Sequence, residues 1–188
     1  MRRLFVVAAT LLAATPLAAQ QGPLTAAAST RATTVVTLNP PRVQGQPAPT
    51  ALTIRLDYGQ PHVRGRAVPT ELAADGTIWR TGANASTTLT TEANLVIGGA
   101  DVPKGAYSIY TIRDGGRYFL IINQNTGQWG TQYDATKDLV RVPLRARTRA
   151  EPLESLQIAF VPAAEGPAGG VLSISWGTLE LTTDWSAK

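Results

Sequence analysis

The sequence predicts an all-β fold, a single antiparallel β-sandwich or partly closed barrel of about nine short strands. Three observations lead to this class. Short apolar segments with alternating or β-branched residues recur along the chain, turn residues such as Gly98-Gly99 separate them, and no later segment has a sustained helical period. Strands that do not alternate with helices pair as antiparallel neighbours and pack into two layers or a barrel.

The individual strands follow from period-two patterns and turn signals. Leu52, Ile54 and Leu56 alternate with polar residues, which is typical of a strand with one buried face. The Asp114-Gly115-Gly116 segment is a strong hairpin signal between two β-branched and aromatic runs. A helical turn is expected only near Pro69–Ala74. In chain order the predicted strands are Leu52–Tyr58, Ser86–Thr91, Leu95–Ile97, Ala106–Ile112, Arg117–Asn123, Leu139–Arg147, Leu153–Val161, Val171–Trp176 and Leu179–Thr183.

The N-terminal part of the chain is predicted to lie outside the sandwich. Residues 1–19 hold two arginines, a short apolar run and an alanine-rich end, which is the pattern of a signal peptide. Residues 20–49 are rich in Ala, Thr, Gln and Pro and are expected to be mostly a flexible tether, in which Thr33–Leu38 could add one strand. The sandwich domain is therefore expected to span 50–188.

Composition indicates an exported protein. The chain has no cysteine, which excludes disulfides, thiol nucleophiles and thiolate metal sites. The apolar run of the signal peptide is too short for a membrane span, and no later segment approaches the roughly 18 apolar residues that a span needs. Arginine greatly outnumbers lysine and alanine is abundant, which suggests a bacterial source. We expect a periplasmic or secreted protein with no membrane span after signal removal.

The positive charge of the chain is weak overall but locally dense. The formal net charge is +4, and two of the cations leave with the signal peptide, so no nucleic-acid partner is predicted. Arg141, Arg145 and Arg147 share one face of a predicted strand that also contains Pro143. The favoured interpretation is an edge strand, where cations and proline block edge-to-edge pairing. The alternative is contact with an anionic envelope polymer through these three arginines.

Known catalytic motifs are missing from the sequence. His62 is the one histidine, so no multi-histidine metal centre can form, and the G-x-S-x-G, P-loop and G-x-G-x-x-G patterns are absent. We predict no metal and no cofactor, and the sequence points away from an enzyme without deciding the question. The catalytic alternative is a hydrolase of unrecognised type that uses His62 as general base, with Asp57 and a serine such as Ser86 as partners.

Two polar segments, 58–66 and 78–88, form the candidate ligand site. Guanidinium groups suit carboxylate, phosphate or sulfate, and aromatic rings beside amides suit sugars. We therefore predict a non-catalytic binding module for a small anionic or carbohydrate-like ligand or an envelope partner. The open alternative is a purely structural or interaction protein in which these residues form a buried network, with Arg80 bound to backbone carbonyls or Asp57. The candidate ligand-binding residues are Tyr58, His62, Arg64, Arg66, Trp79, Arg80 and Asn84.

Several blocks of the sequence resemble a known family. The chain is similar to the bacterial exported family catalogued as domain of unknown function 2911, over roughly Thr53 to Leu144. The resemblance implies an exported β-rich bacterial protein, and it brings no activity and no catalytic residue. The blocks that carry it, in order, are Tyr58–Arg66, Ile78–Thr87, Val102–Ile112, Asn123–Gly130 and Lys137–Val142.

Overall fold

The chain forms one antiparallel ten-stranded sheet that folds over on itself without closing, as seen in a computed structural model that describes residues 23–68 and 74–188. The predicted all-β antiparallel class is confirmed. The order across the sheet is β1-β2-β4-β7-β8-β9-β10-β5-β6, and β3 pairs with β7. The strands are β1 (Arg31–Leu38), β2 (Leu52–Gly59), β3 (Ile78–Trp79), β4 (Thr87–Thr91), β5 (Leu95–Ile97), β6 (Ala100–Val102), β7 (Gly105–Asp114), β8 (Arg117–Asn123), β9 (Asp138–Pro162) and β10 (Gly169–Ala187).

The two C-terminal strands turn this sheet into two layers. The first part of β9, up to Leu144, pairs with β8, whereas β9 pairs with β10 from Arg145 onward. The pairing of β9 with β10 shifts register on both sides of Gly177, as expected where a strand bulges and bends. The four separate strands predicted between Leu139 and Thr183 are therefore two long strands, because the irregular residues between them bend the sheet without ending it.

Both predicted glycine turns are present. Gly115 and Gly116 have φ values of 54° and 77° and join β7 to β8 in a two-residue hairpin. Gly98 and Gly99 have φ values of 55° and 86° and join β5 to β6 in the same way. The short strands β3 and β6 were not predicted, because two or three residues are too few to show a periodic pattern.

The N-terminal segment contributes a strand to the sheet. Arg31–Leu38 pairs along its whole length with β2, so β1 lies inside the segment predicted as mostly a tether, where an added strand was expected at Thr33–Leu38. The predicted signal peptide at 1–19 lies outside the described residues, as do all but the last residue of the predicted helical turn near Pro69–Ala74. In the described part of the chain, no helix has the length and apolar character needed to cross a membrane.

One hydrophobic core fills the space between the layers. The core contains fully buried aliphatic side chains from both layers of the sheet. Burying one such side chain stabilises the fold by about 1.5–3 kcal/mol compared with leaving it exposed to water. A second, smaller cluster of Tyr110, Ile112 and Ile121 lies against Tyr133. Strands β7 and β8 are therefore buried on both faces, and the 124–137 connection is held over them. Members of the main core include Ile54, Leu56, Leu89, Leu120, Ile122, Leu156 and Ile158.

The segment after β2 covers the free edge of β9. The N–H of Leu156 donates to the Pro61 carbonyl at 3.1 Å, and the N–H of Val63 donates to the Glu154 carbonyl at 2.8 Å. A β-bridge between His62 and Ser155 lies between these two bonds. This anchoring holds residues 61–66 beside the connection between β3 and β4.

Candidate functional site

A cavity of about 340 Å³ lies where residues 61–66 meet the connection between β3 and β4. We call it the arginine cavity. The structure brings six of the seven predicted site residues together in its walls, although they come from two segments of the chain. These six residues are His62, Arg64, Arg66, Trp79, Arg80 and Asn84.

Tyr58 is the predicted site residue that the structure places elsewhere. Its ring lies in the main core with 4% exposure, and its hydroxyl accepts the N–H of Ile158 at 3.1 Å. The alternation along β2 puts Tyr58 on the same face as Leu56, so the strand pattern determines where this side chain points. Tyr58 therefore connects the two layers and does not line the arginine cavity.

Trp176 also lines the cavity, although it is not among the seven residues predicted from the sequence. Its ring stacks on that of Trp79, with centroids 5.6 Å apart and planes 12° from parallel. The guanidinium of Arg66 lies 5.6 Å from the centre of the Trp176 ring and also donates to the carbonyls of Val63 and His62. The guanidinium of Arg66 therefore stabilises the cavity wall through the Trp176 ring and the two carbonyls, and it is less available to a ligand. The only sequence signal for Trp176 was its residue type, since it lies in an ordinary strand pattern far along the chain.

Arg64 and Arg80 differ from Arg66 in having no partner. Neither guanidinium makes a hydrogen bond or ion pair with the described residues. Arg64 is exposed, and its backbone N–H donates to the Glu154 carboxylate at 2.9 Å. Arg80 is half-buried, and its aliphatic part lies so close to Gly130 that a Cβ there would come within 2.7 Å of the Arg80 Cδ. The predicted bonding of Arg80 to backbone carbonyls or Asp57 is not found among these residues.

The backbone around the cavity is strained. Four non-glycine residues of the described chain have positive φ, namely Ser29 at 54°, Arg64 at 50°, Thr81 at 49° and Asn84 at 62°. Three of them line the cavity, and Thr81 directly follows Arg80. A non-glycine residue in this region is uncommon, and strained conformations cost of order 1–3 kcal/mol each. The β-branched Thr81 is the clearest outlier of the four.

Buried hydrogen bonds hold Thr81 in this conformation. Its hydroxyl lies 2.7 Å from the hydroxyl of Thr111, and the Thr87 hydroxyl donates to the Thr81 carbonyl at 2.8 Å. Behind this turn, a Cβ on Gly59 would come within 2.2 Å of the Ala83 carbonyl oxygen, so only glycine permits the close approach. A buried polar network does exist here, but threonines and backbone groups form it and the arginines do not.

His62 and Asn84 complete the polar wall. The Nδ1 atom of His62 lies 2.8 Å from the Ser155 hydroxyl, so His62 is held by Ser155. The Asn84 amide donates to the Ser29 carbonyl at 3.5 Å, and the Asn84 carbonyl accepts the N–H of Gly130 at 3.0 Å. The exposed Asn84 side chain retains hydrogen-bonding capacity toward the cavity.

Asp57 is bound to β1 and not to His62. Its carboxylate accepts hydrogen bonds from Arg31 and from the Thr33 hydroxyl, and Arg55 lies 3.4 Å away. Burial pushes the pKa of Asp57 upward, but the hydrogen bonds from Arg31 and Thr33 and the nearby arginine charges hold it below its usual value. The predicted partnership of Asp57 with His62 is therefore not observed, and the hydroxyl beside His62 belongs to Ser155.

Two buried amides position the loop behind Arg80. Asn123 donates to the Asp134 carbonyl and to the Asp138 carboxylate, both at 2.8 Å. Gln128 donates to the Tyr110 hydroxyl at 2.9 Å. These bonds fix the 124–137 connection, which places Gly130 against the side chain of Arg80.

The arginine-rich strand β9 lies between β8 and β10 in the order of the sheet, but each part of it pairs on one side only. Up to Leu144 it pairs with β8, where Pro143 lies in register with Phe119, and from Arg145 onward it pairs with β10. The part with Arg145 and Arg147 therefore has one edge that pairs with no other strand of the described chain, as predicted for an edge strand, whereas Pro143 lies in the part that is paired with β8. A polymer contact through this strand stays a prediction, and its cations are paired. The ion pairs are Arg141 with Asp138, Arg145 with Asp184, and both Arg147 and Arg149 with Glu180.

Fold and site together define an all-β antiparallel sandwich with a polar cavity, in which two arginines have no partner among the residues that the structure describes. The chain matches the model of a family described as protein of unknown function (DUF2911) over residues 40–184, and it belongs to that family. The predicted family is thereby confirmed, and the match extends beyond the Thr53 to Leu144 region that carried the resemblance. No curated protein and no solved structure matches the chain.

Proposed function

We propose that this protein is a binding module that takes a small anionic or carbohydrate-like ligand in the arginine cavity. The supporting observation is that three residues with positive φ line this cavity, a fourth directly follows Arg80, and two guanidiniums in its walls have no partner among the described residues. Strained backbone persists only where the surroundings over-determine it, and it clusters at ligand sites. An unpaired guanidinium at such a place is suited to bidentate recognition of a carboxylate, phosphate or sulfate.

Each wall of the cavity has a distinct role in this proposal. Arg64 and Arg80 supply the charge, and Asn84 supplies both a donor and an acceptor. Trp79 offers an aromatic surface, and Arg66 and Trp176 hold its ring in place. The volume of about 340 Å³ lies at the lower end of the roughly 300–1,000 Å³ range of small-molecule clefts. A single sugar ring or a small dicarboxylate is therefore the expected size.

Isothermal titration calorimetry at low ionic strength tests the proposal. Phosphate, succinate and galacturonate are titrated into the wild type and into the Arg64→Gln and Arg80→Gln variants. Each substitution is expected to weaken binding roughly tenfold or more, because hydrogen bonds to charged groups contribute about 1.5–3 kcal/mol. The Arg42→Gln variant removes one charge from an exposed position outside the cavity and should bind as the wild type does. Equal affinities in all four proteins, or no binding of any probe, would contradict the proposal.

A hydrolase that uses His62 is the second candidate. The observation that favours it is the 2.8 Å contact between His62 Nδ1 and the Ser155 hydroxyl. Ester hydrolysis by the wild type is compared with hydrolysis by His62→Ala and Ser155→Ala. Loss of a measured activity in both variants, with unchanged melting temperatures, would support a hydrolase. Undetectable activity in the wild type excludes it for that substrate.

We also propose that the protein is periplasmic or secreted. The support is the charged, apolar and alanine-rich order of residues 1–19. N-terminal sequencing of the protein recovered from a bacterial periplasmic fraction should give a chain that begins at Gln20. An uncleaved chain found only in the cytoplasm would contradict the assignment.

A further inference from the structure

We infer that the ligand is an acidic oligosaccharide that lies across two adjoining subsites, of which the arginine cavity is the first. This inference rests on the function proposed above. Its basis is a second cavity of about 290 Å³, which shares Trp79 and Arg80 with the arginine cavity and is completed by Ile78, Gly130, Thr131 and Tyr133. Because two residues belong to both linings, the cavities meet along these side chains.

The junction between the cavities depends on a glycine. A Cβ at position 130 would come within 2.7 Å of the Arg80 Cδ and 2.8 Å of the Asn84 carbonyl oxygen. Glycine therefore leaves Arg80 room to lie between the two cavities. The Gly130 N–H donates to the Asn84 carbonyl at 3.0 Å, so one hydrogen bond connects the walls of both.

The two subsites differ in charge. Arg64 lies only in the first, Arg80 lies at the junction, and Arg80 is the one cation that lines the second. A linear polyphosphate would need cations along its whole length. A chain of sugar rings with one carboxylate each needs fewer charges and uses hydroxyl and aromatic surface elsewhere. The exposed Thr131 and the shared Trp79 provide such surface.

An exposed tryptophan next to the second subsite supports an extended ligand. Trp129 is 51% exposed, and the two residues that follow it, Gly130 and Thr131, line the second cavity. The backbone of Trp129 is fixed by a β-bridge with Ala85. Aromatic side chains are large apolar surfaces that normally gain by burial, so an exposed one held beside a cavity offers a further contact for a ring.

The test is the dependence of affinity on chain length. Galacturonate, digalacturonate and trigalacturonate are titrated into the wild type, together with a neutral galactose trimer and tripolyphosphate. Affinity should rise at least tenfold from the monomer to the dimer. The Thr131→Trp variant fills the second subsite and should abolish this gain. Thr37→Trp, at an exposed position of β1 that lines neither cavity, is the matched control and should keep the gain.

The outcomes separate this inference from the function on which it rests. If galacturonate binds through Arg80 but the dimer binds no tighter, or if Thr131→Trp keeps the gain, the second subsite is wrong and the binding module stands. If the neutral trimer or tripolyphosphate binds as tightly as trigalacturonate, the ligand class is wrong. If no anion tested binds to the wild type, the proposed function fails together with the inference.

Discussion

The connection from Trp79 to Thr87 has two faces with opposite chemistry. On the inward face, the Thr81 and Thr87 side chains are buried and fully engaged in hydrogen bonds. On the outward face, Arg80 faces the cavity without a partner among the described residues. The two kinds of side chain alternate over a few positions. Between Trp79 and Thr87, the direction in which a polar side chain points is what distinguishes the residues that stabilise the fold from those that are free to bind a ligand.

The same contrast separates the two arginine-rich regions of the molecule. The β9 arginines form the denser cluster in the sequence, yet each lies near a carboxylate, as Arg145 does with Asp184 at 2.7 Å. The two cavity arginines, Arg64 and Arg80, have no such partner among the described residues. The number of cations in a segment therefore does not measure its free charge.

The largest expected effect on the free energy of unfolding comes from a substitution that fills the space behind the inward face of this connection. Gly59→Ala places a Cβ within 2.2 Å of the Ala83 carbonyl oxygen, which is backbone and cannot move aside cheaply. Overpacking of this kind costs about 1–3 kcal/mol, and we expect the upper end of that range in urea denaturation. The displaced turn should also weaken ligand binding. A variant with wild-type stability would show that the inward face does not fix the turn.

The next largest effect separates the two faces directly. Thr87→Val keeps the side-chain shape but leaves the buried Thr81 carbonyl without its donor, at a cost of about 1–3 kcal/mol. Arg80→Gln on the outward face should change stability by less than about 0.5 kcal/mol, because the guanidinium makes no hydrogen bond or ion pair with the described residues and Gln keeps the first part of the side chain that lies near Gly130. Both are measured by urea denaturation at neutral pH. An equal loss in the two variants would remove the distinction between the faces.

A smaller effect is expected from the acidic anchor of β1. Because the pKa of Asp57 is lowered in the folded protein, the unfolded chain takes up more protons as pH falls. The stability that Asp57 contributes is therefore present above its ordinary value of 3.8 and is lost as pH falls below that value. Asp57→Asn should flatten the decline of melting temperature between pH 5 and pH 3, compared with the wild type. An unchanged decline would show that the Arg31 contact adds nothing to stability.

The smallest effect is chromatographic and compares the two arginine regions. On an anionic polysaccharide column at low salt, Arg64→Gln with Arg80→Gln should elute earlier than Arg145→Ser with Arg147→Ser. The reason is that the cavity pair removes unpaired charge, whereas the β9 pair removes cations already neutralised by Asp184 and Glu180. The reverse order of elution would favour the envelope-polymer prediction for β9.

Most strands could be predicted because their signals are local. β8 was predicted at its observed bounds, and the Asp114-Gly115-Gly116 hairpin was confirmed. The breaks predicted within β9 and β10 were wrong, since Pro152 and Gly177 bend strands that continue on both sides. A sequence shows that a residue disfavours a straight strand, but a paired neighbour determines whether the strand ends there.

The candidate site divides in the same way. Six of its predicted residues lie in two short segments rich in polar and aromatic residues, so composition was enough to select them. Tyr58 was assigned to the cavity although its alternation with Leu56 already placed it in the core. Trp176 was missed because only the folding of β10 over β9 brings its ring against Trp79.

The sequence alone determined the strand alternation, the glycine turns, the family and the residue types gathered near the cavity, because these depend on neighbours within a few positions. Tertiary structure alone decided which cations are free. Arg145 is neutralised by Asp184, a residue 39 positions away, and Arg80 has no such neighbour in the described chain. Ion pairs act over a few ångströms in space, and in an antiparallel sheet those neighbours come from distant parts of the chain.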